Sequence, residues 1–346
     1  LALGDSGLGA AGTEILLLWP QSIERDWQRN LTALTPIDAI DVICLGHAAL
    51  DRVYTVDAIP AVPTKLRATA YREVGGGMAA NAACAIARLG GRVAFWGRAG
   101  DDAAGAAMAQ ELAAYGVDAR AFRRLAGCRS SQSAIVVDAK GERLIVSHHG
   151  DVPDDASWLP LDDVRKARAV LADVRWPTGA TVLFGAAREA GVPRVLDADV
   201  AEGSVIGELL RLADHVVFSE HGLARWASLP ERAGEKQRLA ALERAWHAMR
   251  AQAPSKACAV TCGAAGSWWL TNDGPLHVPA PEVDTVDTLG AGDVFHGAYA
   301  LAIAEGRDVA AAARFATLAA AIKCTRSGGR AGSPTRSEVA AYTARG

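Results

Sequence analysis

The residues of this chain able to do chemistry stand at the ends of apolar runs. In "DTLGAGDVFHG" (287–297), Gly290, Ala291 and Gly292 strip a turn of large side chains just before an apolar run that reads as helical. A bare turn entering a helix offers backbone N–H groups and the positive end of the helix dipole, which together favour an anion. Asp293 stands at that same entry. The turn therefore pairs an anion-binding backbone with a carboxylate that can accept a proton. Further polar groups follow other apolar runs: Asp51 after "DVICLG" and its turn, Arg98 and Asp101 after "VAFWG", Arg175 after "AVLADV", and Asp197 at the end of "PRVLD". Gly75-Gly76-Gly77 opens a helical pattern that carries Asn81.

The elements behind these residues alternate. Compact apolar runs predict buried strands at 41–46, 92–97, 168–173, 193–197, 214–218 and 257–262. Apolar spacing of the helical period predicts helices at 77–90, 103–115, 179–190, 203–212, 235–251, 291–304 and 308–325. Buried strands alternating with helices imply an α/β fold with a mostly parallel sheet covered on both faces. Ligands of such sheets bind at the carboxyl ends of the strands, where the acids, glycines and arginine above collect. Two segments break the rhythm: 52–74 (strands at 52–60 and 65–74) and 131–149, the latter turning around Gly141, alternate as half-buried strands do. They predict a small separate sheet able to cover the site as a lid.

Composition excludes several classes. The chain has 346 residues, half of them hydrophobic and 22% charged, with a net charge of −3. That fits a globular protein, gives no field to recruit nucleic acid, and contains no apolar run of the ~20 residues a membrane span needs. The six cysteines are scattered without metal-ligand spacing, as expected of thiols in a reducing cytoplasm. "GLGAAG" (7–12) matches the dinucleotide fingerprint, but only six residues precede it, too few for the strand that fingerprint requires. A dehydrogenase is therefore disfavoured. Residues 1–38 read as an N-terminal extension, partly helical over 22–34, ahead of one catalytic domain at 39–346.

"GGGMAANAACAIARLGGRVAFWGRAGDDAAG" (75–105) and "DTVDTLGAGDVFHGAYALAIAEG" (284–306) resemble the two signatures of the ribokinase/PfkB carbohydrate kinases. The resemblance covers about 40–346. It implies a ribokinase-like three-layer α/β/α core, a β-sheet lid, ATP with Mg²⁺, and a monovalent cation such as K⁺. It gives the amides of Gly290, Ala291 and Gly292 the transferring phosphoryl group, and Asp293 the proton of the attacking hydroxyl. Gly263 and Gly266 in "VTCGAAGSWWL" and Gly329 in "TRSGGRAGSP" fall on the nucleotide side, and Asp287 resembles the cation-loop aspartate. Many relatives carry Asn-x-x-Glu where this chain has Ser219-Glu220-His221-Gly222. Ser219 then takes the Asn position beside the nucleotide, and Glu220 is the carboxylate left for Mg²⁺, acting through water. Lid strands of relatives often pair between subunits, which implies a homodimer.

For the acceptor, Asp51, Gly76, Gly77 and Asn81 are expected to hold sugar hydroxyls. "VLADVRW", "FSEHGLAR" and "KCTRSGGRAGSP" are similar to the 6-deoxy-6-sulfofructose kinases of the family, which phosphorylate the 1-hydroxyl. That subgroup holds the sulfonate with a lid lysine and an arginine after the central strand, here Lys65 and Arg175. Ser147 stands where the subgroup has a lid asparagine. An arginine's planar fork matches sulfonate or phosphate oxygens, and a buried one needs an anion. The alternatives are a salt bridge of Arg175 with Asp173 or Glu73, a fructose, 2-keto-3-deoxygluconate, ribose or nucleoside acceptor, and a sugar-binding regulator without activity.

Overall fold

The computed structural model describes residues 39–343, apart from 140, 202, 231–232 and 252–255. The extension expected at 1–38 lies outside them. Strands and helices are numbered here along the described chain. β1 (Ile40–Gly46), β4 (Val93–Gly100), β8 (Ala167–Asp173), β9 (Arg194–Ala198), β10 (His215–Ser219) and β11 (Ala257–Thr261) are the six buried runs, and they pair in parallel. β5 (Phe122–Leu125) adds to one edge, and β12 (Ser267–Thr271) with β13 (Gly274–Val278) turns back antiparallel at the other. The order is β13-β12-β11-β10-β9-β8-β1-β4-β5. The three edge strands were not expected. β12 and β13 are joined through Asn272-Asp273, followed by Gly274 at φ 113°, so the hairpin signal was present.

The helices follow the predicted order: α1 (Met78–Arg88), α2 (Ala103–Ala114), α3 (Pro177–Ala190), α4 (Gly203–Leu210), α6 (Glu235–Arg250), α7 (Ala291–Ala304) and α8 (Val309–Cys324). Short α5 (Glu220–Trp226) and α9 (Arg336–Thr343) are additional. Local chemistry sets the ends. Asp102 and Asp308 cap α2 and α8 by accepting from the Gly105 and Ala311 N–H groups at 2.8 and 2.7 Å. α3 stops at left-handed Gly191.

Side chains such as Ile43, Leu45, Phe95 and Phe218 are essentially inaccessible. Each contributes about 1.5–3 kcal/mol through burial. α1 and α7 touch backbone to side: a Cβ on Gly297 would lie 2.6 Å from the Ala82 carbonyl oxygen. Only glycine permits that approach, and it sets Asn81 of α1 against Asp293 of α7.

The second sheet is the predicted lid, with shorter strands: β2 (Ala49–Thr55), β3 (Ala70–Gly76), β6 (Gln132–Val137) and β7 (Arg143–His148) in the order β3-β2-β6-β7. β2 and β6 are parallel, whereas the two outer pairs are antiparallel. The strands expected at 52–60 and 65–74 overreach. Residues 57–69 form an irregular connection, because Pro60 and Pro63 remove the donors a ladder needs. Lys65 lies in that connection, exposed, and not on a strand.

Candidate active site

Everything around Asp293 starts from the turn before α7. Gly290 sits at φ 76° as the N-cap, a left-handed geometry that other residues adopt at a cost. Ala291 N–H donates back to the Thr288 carbonyl at 3.2 Å. The anion hole therefore differs from a row of three free amides. Ala291 closes the turn, and the Gly292 and Asp293 N–H groups are the first-turn donors without an intrahelical acceptor. A Cβ built on Gly292 meets nothing within 4 Å, so the space over those donors is open.

Asp293 is half-buried, and Asn81 Nδ2 donates to its Oδ2 at 2.6 Å. Burial pushes the Asp293 carboxyl up to about 7. The Asn81 bond opposes this rise, the negative charges of Asp199 and Asp173 reinforce it, and Arg330 opposes it. A carboxyl poised there is matched to proton transfer near neutral pH. Beneath the same turn, buried His296 lies 2.7 Å from the Gly292 carbonyl and 3.3 Å from Asp197 Oδ2. Burial lowers the imidazole pKa and raises that of Asp197, so both groups favour their neutral forms.

Arg330 is the residue that sequence reasoning missed. It is 3% exposed, yet its guanidinium has a full set of partners. Nε donates to Asn81 Oδ1 at 2.9 Å, one terminal nitrogen donates to the Gly76 carbonyl at 2.8 Å, and Glu111 lies 3.8 Å away. The chain Gly76–Arg330–Asn81–Asp293 thus orients the amide of Asn81 toward the carboxylate. "SGGRAG" is loop sequence with no periodicity to reveal this. The same region explains the glycine triplet. A Cβ on Gly76 would fall 2.2 Å from an Asp51 oxygen, and one on Gly77 would strike the His47 carbonyl at 2.3 Å. Asp51 bonds to Ser133, and burial raises its pKa. Ser133 in turn lies 3.3 Å from Ser147, hydroxyl to hydroxyl. Asp51, Gly76, Gly77, Asn81 and Ser147 are therefore brought to one place with Asp293.

Asp173 organises the neighbouring corner. It is fully buried and accepts three backbone N–H groups, from His47 at 2.8 Å, Ala79 at 3.1 Å and Arg175 at 2.8 Å. Gly46 makes room, since its Cβ would overlap the Asp173 carboxylate. The expected alternative of an Arg175 side-chain salt bridge fails on both partners: Asp173 takes the Arg175 backbone, and Glu73 pairs with Arg52 at 3.0 Å. Among the described residues the Arg175 guanidinium has no ion pair. It is exposed, not buried as the sequence argument assumed. Burial pushes the His47 imidazole down; Asp173 opposes this, and the positive charges of Arg175, His149 and Arg98 add to it. Two arginines therefore stand at one corner, Arg98 paired with Asp154 at 3.2 Å and Arg175 with no ion pair among the described residues. Lys65 makes no ion pair there among the described residues.

On the other side of the turn lies an open cleft of about 1060 Å³, lined by Gly263, Gly266, Val286, Gly292, Thr317 and Tyr342 among others. Its wall runs up to the turn before α7, so Gly263 and Gly266 share a cleft with Ala291 and Gly292. Gly329 does not line this cleft; it starts a short 3-10 helix, and its N–H supports Asp287. Ser219 is engaged locally: it accepts from the Gly222 N–H at 2.9 Å as the cap of α5 and donates to Asp199 at 2.5 Å. Glu220 faces away, paired with Arg238 at 3.1 Å. Of these two acids, Asp199 is the one whose charge reaches Asp293. Among the described residues, no three His, Cys, Asp or Glu side chains gather as a metal site. A Mg²⁺ that keeps its waters and binds mainly phosphate needs no such cluster. Asp287 offers no free oxygen. Oδ1 accepts from Leu289 N–H at 2.9 Å and Arg143 at 3.0 Å, and Oδ2 accepts from Gly328 N–H at 3.2 Å.

Known proteins resemble this chain in sequence and fold. Ribokinase of Bacillus subtilis is 29% identical over 303 residues, which is 86% of this chain and 98% of that protein. An ATP-dependent ribose-1-phosphate kinase of Halopiger xanaduensis is 29% identical, over 88% of this chain and 98% of its own. Among solved structures, a protein assigned as a ribokinase from Agrobacterium tumefaciens superposes with a TM-score of 0.82 at 37% identity, covering 89% of this chain and 98% of that one. Arabidopsis thaliana ribokinase, complexed with ribose and ATP, superposes with a TM-score of 0.77 at 26% identity, covering 88% and 98%. The fold is ribokinase-like. Residues 39–336 match the pfkB family of carbohydrate kinases, and the chain belongs to that family as an ATP-dependent sugar kinase.

Proposed function

We propose that the acceptor is a sugar carrying an anionic substituent, with 6-deoxy-6-sulfofructose, phosphorylated on its 1-hydroxyl, as the first candidate. The observation that carries this reading is the Arg175 guanidinium, which has no ion pair among the described residues and stands with Arg98 and His149 near His47. Arg98 is already paired with Asp154 at 3.2 Å, so the charge left at this corner for a sulfonate or phosphate is that of Arg175. The Halopiger relative, a ribose-1-phosphate kinase, also acts on an anionic sugar. Lys65, on a connection long enough to fold inward, would add a further cation when the lid closes.

In this reading Asp51, the amides of Gly76 and Gly77, Asn81 and Ser147 hold hydroxyls. Asp293 takes the proton of the attacking hydroxyl as its oxygen bonds the γ-phosphorus and the bond to the ADP oxygen breaks. Gly292 and Asp293 N–H groups hold the phosphoryl oxygens. ATP lies along the cleft with Gly263 and Gly266. Mg²⁺, when bound, would neutralise phosphate charge, with Asp199 in place of the Arg238-paired Glu220 as the carboxylate for its water shell. The exposed apolar lid residues Tyr71, Leu144, Ile145 and Val146 support a homodimer through the lid, to be checked by sedimentation.

A second reading, a neutral acceptor such as ribose or fructose, is favoured by the ribokinase relatives. A coupled assay over sulfofructose, sugar phosphates, 2-keto-3-deoxygluconate, fructose and ribose separates the two. The first reading expects kcat/KM for an anionic sugar to exceed that for its neutral counterpart by ~10-fold or more. Preference for ribose would overturn it.

A further inference from the structure

Lys323 is a buried charge that the reaction above does not use. It lies in the last turn of α8 with no solvent exposure. Its Nζ donates to the Asp287 carbonyl at 2.6 Å and lies 3.6 Å from Asp287 Oδ2. The next residue, Cys324, accepts at its carbonyl from the Val286 and Asp287 N–H groups at 2.8 and 3.1 Å. Gly332 packs on the same side chain: its Cβ would sit 3.5 Å from Lys323 Cε. The ammonium therefore lies between the loop that enters the anion hole and the 325–333 loop. The first of these carries Asp287, which resembles the family's cation-loop aspartate.

We propose that Lys323 is the chain's own monovalent cation: its ammonium holds the Asp287 loop in place, and the protein neither binds nor requires K⁺ there. Three features support this. Both Asp287 carboxylate oxygens already accept from Leu289, Gly328 and Arg143, so a metal ion would have to displace a donor. Asp287 already faces two positive charges, the Lys323 ammonium and the Arg143 guanidinium, so a third at the same carboxylate would be repelled. The lysine is also tethered, so its ammonium occupies the site as an intramolecular group, independent of the free ion concentration. An ammonium withdrawn from water is retained only where it meets an anion and good acceptors, and Asp287 supplies both.

The inference rests on the kinase reading only for its activity arm. The test takes the full chain in tetramethylammonium salt and adds K⁺ at constant ionic strength. Melting is followed without nucleotide, and turnover with ATP and the accepted sugar. Wild type is expected to shift in Tm by less than ~1 °C and in rate by less than ~2-fold. Lys323→Met and Lys323→Ala are expected to melt lower, and to recover by ~2 °C or more with K⁺ or ammonium but not with tetramethylammonium. A wild-type rate gain of ~10-fold, or a Tm gain of several degrees with K⁺, would overturn the proposal. So would variants that respond alike to all three cations, since Lys323 would then be a packing residue. Wild type that turns over no sugar would count against the kinase reading alone, because the melting arm does not depend on it.

Discussion

The turn at Asp293 and the lid sheet are built on opposite plans. Around Asp293 the polar groups are fixed before any substrate arrives: Arg330 holds Asn81, Asn81 holds Asp293, and Asp173 ties three backbone amides together. The lid is loosely held. All of β7 is exposed, the connection at 57–69 is largely irregular, and Lys65 in it, like Arg175 after core strand β8 at the rim, lacks an ion-pair partner among the described residues. A preorganised centre suits phosphoryl transfer, where positioning and charge stabilisation do most of the work. An unsatisfied rim suits recognition, since on the proposed reading its cations would gain partners when an anionic sugar binds. One ion pair spans the two regions, from Arg143 of β7 to Asp287 beside the anion hole.

If that contrast is sound, the largest effect follows removal of the base. Asp293→Asn should lower kcat by ~10²–10⁴-fold with sugar binding retained, measured by steady-state kinetics and calorimetry. It should also stabilise the fold. The folded pKa of about 7 lies above the unfolded value of 3.8, so ionising Asp293 costs stability as pH rises between those values. The Tm gain of Asp293→Asn should therefore grow from about pH 4 to about pH 7 and level off above.

Next comes the rim. Arg175→Ala should cost ~10–100-fold in kcat/KM for an anionic sugar and little for fructose. Equal losses for both would erase the distinction drawn between centre and rim.

A subtler test uses pH. Asn81 and Arg330 both lower the Asp293 pKa, while Asp199 raises it. Asn81→Ala should move the acid limb of kcat/KM upward from about 7, and Asp199→Asn should move it downward. Limbs that stay in place in both variants would show that another group titrates.

The smallest effect belongs to the bridge. Arg143→Ala removes a partly exposed ion pair worth ~0–1 kcal/mol, so Tm should barely move. Sugar KM should rise only ~2-fold if the pair helps hold the lid to the loop.

The parallel core was legible because its strands are continuous apolar runs and its helices keep a 3.6-residue period. Neither signal depends on partners elsewhere in the chain. The turn "GAGD" was legible for a similar reason: three small residues before a helix state their purpose locally. β5, β12 and β13 were missed because short edge strands carry mixed burial. The lid's extent was overread because alternation continued past two prolines.

What the sequence determined by itself was the reaction centre's parts: Asp293, the bare helix entry, and acids and an arginine at strand ends. Only the tertiary structure decided how they are used. It placed Arg330, from a loop some 250 positions away in sequence, under Asn81 and Gly76. It turned Glu220 toward Arg238, left Arg175 exposed, and set Lys323 into the loop where a free cation was expected. The physical reason is range. Backbone propensity and apolar period act over a few residues, whereas hydrogen bonds and charge act between whichever groups the packing of α1, α7 and the sheet brings within a few ångströms.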